Sequence, residues 1–166
     1  VCSSDLEGRN GPMERSLDSY RAYYERWSVG WEAQALLRAD AAAGNPNLTS
    51  RFLAMVDPLR YREGGLPPAD LMEIRRLKAR METERLPRGV DPALHLKLGP
   101  GGLSDVEWVV QIIQMQHGHA HKSLRTTRTL AGLRAAAELD LVEQSDRKST
   151  RLNSSHIPLS RMPSSA

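Results

Sequence analysis

Apolar positions along this chain recur with a helical period, and no stretch alternates in the way a half-buried strand does. Tyr20, Tyr24, Trp27 and Trp31 stand at offsets 0, 4, 7 and 11, one face of a helix. Leu36 and Leu37 continue that surface and Ser16 can cap its start, so the pattern predicts one helix from Leu17 to about Ala43. Gly44-Asn45-Pro46 is a strong stop. Leu48, Phe52 and Val56 predict a short second helix that Asp57-Pro58 should end. After a loop marked by Gly64-Gly65 and Pro67-Pro68, Leu71, Ile74, Leu77 and Met81 predict a third helix over Ala69–Leu86. Its other face carries Arg75, Arg76, Lys78, Arg80, Glu82, Glu84 and Arg85, the signature of a solvated surface. Arg88–Gly102 reads as irregular, with His95–Leu98 able to run extended. Ser104 and Glu107 spell a capping box that would open a fourth helix over Asp105–His117. Leu130, Leu133 and Ala137 predict a fifth helix over Leu124–Leu139. The fold class is therefore all-α, an irregular bundle of about five helices.

The two ends follow another logic. The tail 146–166, DRKSTRLNSSHIPLSRMPSSA, has no hydrophobic period and is rich in Ser, Arg and Pro, which predicts a disordered segment. It also reads as one frame of a common short-read sequencing adapter, and the head VCSSDL (1–6) reads as the opposite adapter. The expected division is a foreign head at 1–6, a helical domain at 7–145 and a foreign tail at 146–166.

That division changes the charge. Of the 23 basic residues, Arg147, Lys148, Arg151 and Arg161 lie in the tail, and of the 20 acidic ones, Asp5 and Asp146 lie in the ends. The middle keeps 19 basic and 18 acidic side chains, a net of +1, which removes the electrostatic case for a nucleic-acid partner. The single cysteine, Cys2, also falls in the head, so no internal disulfide is available. No apolar run reaches the roughly 20 residues that span a bilayer.

Candidate chemistry concentrates in Lys97–Trp108, KLGPGGLSDVEW. A lysine precedes a Gly-rich turn that feeds a helix N-terminus, where free N–H groups suit an anion. Asp105 and Glu107 in the first turn would repel a phosphate unless a cation sat between, and could instead hold Mg²⁺ or orient a base or ribose. The bland alternative is a glycine turn at Gly99, Gly101 and Gly102 followed by capping acids. The order of residues is not that of a phosphate-binding P-loop. His117, His119 and His121 could ligate a metal or simply line a polar helix exit, and His95 is isolated. The aromatic stripe fits a core better than a base-stacking platform. No nucleophile triad, zinc motif or dinucleotide fingerprint is present.

EGRNGP, SLDSYRAYYERWSVGWEAQALLRADAAAGNP, EIRRLKARMETERLPRG, HLKLGPGGLSDVEWVVQIIQMQHGH and LRTTRTL, in that order, resemble the bacterial glutamine-synthetase adenylyltransferase/adenylyl-removing enzymes. The resemblance covers residues 7–144 and is nearer to the C-terminal, adenylylating half. It implies a cytoplasmic parent enzyme in which a nucleotidyltransferase core, using Mg²⁺ and ATP, moves AMP to a tyrosine of glutamine synthetase. The other half of such an enzyme removes AMP by phosphorolysis, and the PII signalling protein biases the two. The catalytic Gly-Ser motif and Asp-x-Asp pair of that core are expected upstream of Glu7 and are absent. The segment should therefore be the helical domain behind the core, inactive alone and binding no cofactor by itself. Lys97, Gly101, Gly102, Asp105 and Glu107 match the family's Gly-rich block and are expected to be cleft-lining or structural, with no metal ligand among them. Two further readings stand beside this one: a stand-alone helical protein-interaction module, and a fragment of the related PII uridylyltransferase.

Overall fold

The computed structural model describes residues 14–87 and 89–142, so the head, the EGRNGP loop and the tail lie outside the described residues. Those residues hold six α-helices and no strand: α1 (Leu17–Trp27), α2 (Gly30–Leu36), α3 (Pro46–Arg60), α4 (Pro68–Glu84), α5 (Leu103–His117) and α6 (Thr129–Glu138). Short 3₁₀ turns at Pro92–Leu94 and Lys122–Leu124 interrupt the links before α5 and α6. No helix among the described residues is long and apolar enough to cross a membrane.

The expected first helix is two helices. Ser16 does cap α1, its hydroxyl accepting from the Ser19 N–H at 3.2 Å. The chain then leaves helical geometry at Ser28 and Val29, where Val29 is extended. Tertiary packing makes the break worthwhile. Glu32 is buried, and its carboxylate accepts from the Tyr23 hydroxyl (2.6 Å) and from the Val29 N–H (3.3 Å), tying the two helix ends together. Gly30 lets α2 press against α4, since a Cβ there would stand 2.9 Å from Cβ of Asp70. The aromatic stripe is cut accordingly. Tyr20 and Tyr24 stack at 6.1 Å and Tyr20 meets Phe52 edge-on at 5.5 Å, as core, while Trp27 is 60% exposed.

The second helix also departs from expectation. Asn45 caps it by accepting from Asn47 and Leu48 N–H groups, and it runs through Pro58 to Arg60. Pro58 sits in the last turn of the helix, and Arg60 follows two residues later. That buried guanidinium donates to Asp57 (2.8 Å) and to the carbonyls of Leu36 (3.2 Å) and Ala39 (3.1 Å), closing the C-terminus of α2 against α3. The fifth expected helix starts later, at Thr129. Gln114, buried in α5, donates from its Nε2 to Leu124 O and Thr126 O (2.7 Å each), which holds 124–126 out of a helix.

Three apolar clusters share two central helices. Ala33, Leu37, Tyr61, Leu66, Ile74, Ile112 and Met115 join α2, α4 and α5. Val109, Ile113, Leu124, Ala135 and Ala136 join the opposite side of α5 to α6. Tyr24, Leu36 and Val56 join α1, α2 and α3. The α5–α6 seam is made of small residues rather than Leu130, which is 62% exposed. A Cβ on Gly132 would lie 2.7 Å from Val110 Cγ1, so this glycine sets how closely the two helices approach.

Candidate functional site

The Gly-rich block is a knot of backbone hydrogen bonds leading into α5. The Leu103 N–H donates to Leu96 O (2.9 Å) and the Ser104 N–H to Lys97 O (3.0 Å). The Gly99 N–H donates to His95 O and the Gly102 N–H to Gly99 O, both at 2.8 Å, while the Leu98 N–H donates to His95 Nδ1 at 3.0 Å. His95 is thus a strut of the knot, and His95–Leu98 forms turns rather than a strand. The carbonyls converge so closely that side chains are excluded. A Cβ on Gly102 would lie 2.8–2.9 Å from the oxygens of Leu96, Lys97 and Gly99. Gly101 has φ +77°, a left-handed conformation that glycine adopts without steric cost.

Two expectations about this block are corrected. Helix α5 begins at Leu103 with Gly102 at its N-cap, and no side-chain cap is formed, so Ser104 and Glu107 lie inside the helix and make no capping box. Nor are its first N–H groups free. Those of Leu103 and Ser104 are taken by loop carbonyls, and those of Asp105 and Val106 by Gly102 O. An anion at this terminus would have to displace the knot's own bonds.

Asp105 is fully engaged. One carboxylate oxygen accepts from the Gly101 N–H (2.7 Å), and the other pairs with the Lys78 ammonium of α4 at 2.5 Å. Lys78 also pairs with Glu82, and its side chain is only 15% exposed. Burial works against this ammonium. The hydrogen bonds and charges of Asp105 and Glu82 outweigh burial, and the Lys78 pKa is raised above its ordinary value. Lys97 is exposed and Glu107 half-buried, each without a hydrogen bond or ion pair from its side chain among the described residues. The donor set around Asp105 does not fit a Mg²⁺ ion, since its two oxygens already hold a cation and an amide. Sequence spacing missed Lys78, because its partner Asp105 is 27 positions away in the chain.

His117, His119 and His121 cluster at the exit of α5, yet no group of three or more His, Cys, Asp or Glu among the described residues could hold a metal. Arg125 closes this end, donating from Nε to Gly118 O (2.7 Å) and from Nη2 to His119 O (3.2 Å). Burial, then the neighbouring His121 and His119, lowers the His117 pKa below its ordinary value. A depressed histidine adds stability above its unfolded value, near pH 6.5, and loses it as pH falls through the folded value. His117→Gln is therefore expected to flatten the fall in urea midpoint between pH 7 and pH 5. An unchanged slope would refute that role.

Elsewhere, a polar cleft of about 450 Å³ lies between α2, α3 and the link to α6, lined by Asp40, Arg60, Tyr61, Arg125, Thr127 and Arg128 among others. Arg60 and Arg125 both lie over the Tyr61 ring, at 5.2 and 4.8 Å from its centroid, and both donate to carbonyls, so these cations are engaged in packing.

Residues 6–55 match the family model described as Glutamate-ammonia ligase adenylyltransferase, and residues 73–159 match one described as GlnD PII-uridylyltransferase. The second match runs past the boundary expected at residue 145. Among similar curated proteins, one from Streptomyces coelicolor is 62% identical over 138 residues, covering 83% of this chain and 14% of its own length. One from Cutibacterium acnes is 57% identical over 146 residues (87% of this chain, 15% of its own), and one from Mycobacterium marinum 53% over 145 residues (87% and 15%). All three are named bifunctional glutamine synthetase adenylyltransferase/adenylyl-removing enzyme. Fold and matches together define the class, an α-helical segment of the kind that the adenylyltransferase and uridylyltransferase family models describe. Within that class the chain belongs to the glutamine synthetase adenylyltransferase/adenylyl-removing family, and it spans about one-seventh of the length of those relatives. The identity across most of the chain favours this family over the uridylyltransferase fragment and the stand-alone module.

Proposed function

We propose that this chain is the helical support of an enzyme that transfers AMP from ATP to a tyrosine of glutamine synthetase and, in its other half, removes it by phosphorolysis. The observation that carries this reading is the 62% identity over 138 residues with an enzyme of that name. Mg²⁺ and ATP belong to a nucleotidyltransferase core elsewhere in the parent, and PII acts as its regulator in the cytoplasm. Residues 1–6 and 146–166 are foreign to the parent. Lys97, Gly101, Gly102, Asp105 and Glu107 form the support's edge rather than its metal site, with Asp105 engaged on both oxygens. The same edge displays Leu94, Leu96 and Leu103, 76%, 77% and 65% exposed, an apolar surface suited to packing against the missing core.

Titration of Mg²⁺-ATP into this chain and into the full-length enzyme containing it separates the outcomes. Only the full-length enzyme is expected to bind ATP and to label glutamine synthetase with AMP. ATP binding of equal strength by the chain alone would overturn the support role. A full-length enzyme that labels no glutamine synthetase would overturn the family's activity for this parent.

A further inference from the structure

The Gly-rich knot is folded by bonds within its own segment, and one further contact reaches it from another helix. The folding bonds come from backbone groups and the His95 ring, while the Asp105 carboxylate that takes the Gly101 N–H is itself fixed by a cation on another helix. Lys78 sits four residues along α4 from Ile74, which is fully buried in the central cluster. The ammonium therefore rises from the best-packed part of the fold and reaches Asp105 and Glu82 with little solvent around it. Asp105 in turn accepts from the N–H of Gly101, the residue of the knot at left-handed φ. A path of two contacts, Lys78 to Asp105 and Asp105 to Gly101, thus links α4 to the turn that carries Lys97, Leu96 and Leu103 to the surface.

We infer that Lys78 is a positioning residue, which through Asp105 and Gly101 fixes the Gly-rich edge in the one shape that the rest of the enzyme engages. Its importance to AMP transfer rests on the proposed function, whereas its hold on the turn does not. Removing the ammonium leaves Asp105, whose side chain is 22% exposed, as a poorly solvated charge without its partner. The carboxylate then turns to water and releases the Gly101 N–H. Arginine keeps the charge and can span both acids, so it should restore the contact.

The test compares Lys78→Met and Lys78→Arg in this chain and in the full-length enzyme. In the chain, Lys78→Met is expected to speed hydrogen exchange of the Gly101 amide by about 10-fold while leaving the Ala135 and Ala136 amides of α6 unchanged. Lys78→Arg should return Gly101 to the parent rate. In the full-length enzyme, Lys78→Met is expected to lower kcat/KM for AMP transfer by about 10-fold, with Lys78→Arg recovering most of it. Unchanged Gly101 exchange, or faster exchange shared equally with α6, overturns the hold on the turn. Faster Gly101 exchange with undiminished transfer overturns the role in the reaction. If the unsubstituted full-length enzyme transfers no AMP, the proposed function fails, while the exchange result still decides what Lys78 holds.

Discussion

Replacing Gly99 by alanine is expected to cost this chain about 3 kcal/mol, the price of forcing a methyl group into a packed site. A Cβ there would lie 2.1 Å from Pro92 O and 2.7 Å from His95 O, well inside contact distance. Neither oxygen can yield freely. Pro92 O accepts from the His95 N–H, and His95 O accepts from the Gly99 N–H itself. Relief requires the turn at 92–99 to open, and the knot before α5 opens with it. Gly64→Ala supplies the comparison. Gly64 has φ +79° but open space around its missing Cβ, so only backbone strain of about 1 kcal/mol is expected. Urea unfolding of the two variants reads the difference. A Gly99→Ala variant no less stable than Gly64→Ala would show that the crowding at the knot is not real.

The second large effect is expected at Arg60. Arg60→Met should cost about 3 kcal/mol, because a charged donor to two carbonyls and a carboxylate is lost at once from a buried position. Ala39 O and Leu36 O both accept from this guanidinium, and Leu36 O, on a residue 1% exposed, keeps only the Ala39 N–H (2.9 Å) when it is removed. Asp57 loses its partner too, though its side chain is 40% exposed and water replaces part of the loss. Arg60→Lys should recover only a fraction, since an ammonium cannot fork between Asp57 and two carbonyls. Arg21, paired with Asp18 at 3.5 Å, makes the contrast, with side chains 54% and 87% exposed. Arg21→Met should shift the urea midpoint barely at all. Equal effects at the two arginines would refute the view that Arg60 locks α2 to α3.

Both predictions depend on contacts that no local pattern announces. The apolar period located the face of α4 that carries Ile74 and the run that became α5, since burial of one helical stripe leaves its mark on spacing. It misread the span from Tyr20 to Trp31. There the 3.6-residue period continues across Ser28-Val29, while the chain itself bends to let Glu32 bind Tyr23 and to let Gly30 meet Asp70. The Ser104-x-x-Glu107 pattern likewise matched a capping box, yet Gly102 begins α5 because the loop carbonyls, not a serine hydroxyl, were in place to take its amides.

The order of motifs by itself determined the family and the all-α class, because helical periodicity and identity are carried by residues near one another in sequence. The tertiary structure alone decided where the helices break and what the Gly-rich block does. Lys78 and Asp105, or Arg60 and Leu36, are separated by whole turns of chain, and only packing brings a buried charge to the acceptor that compensates it.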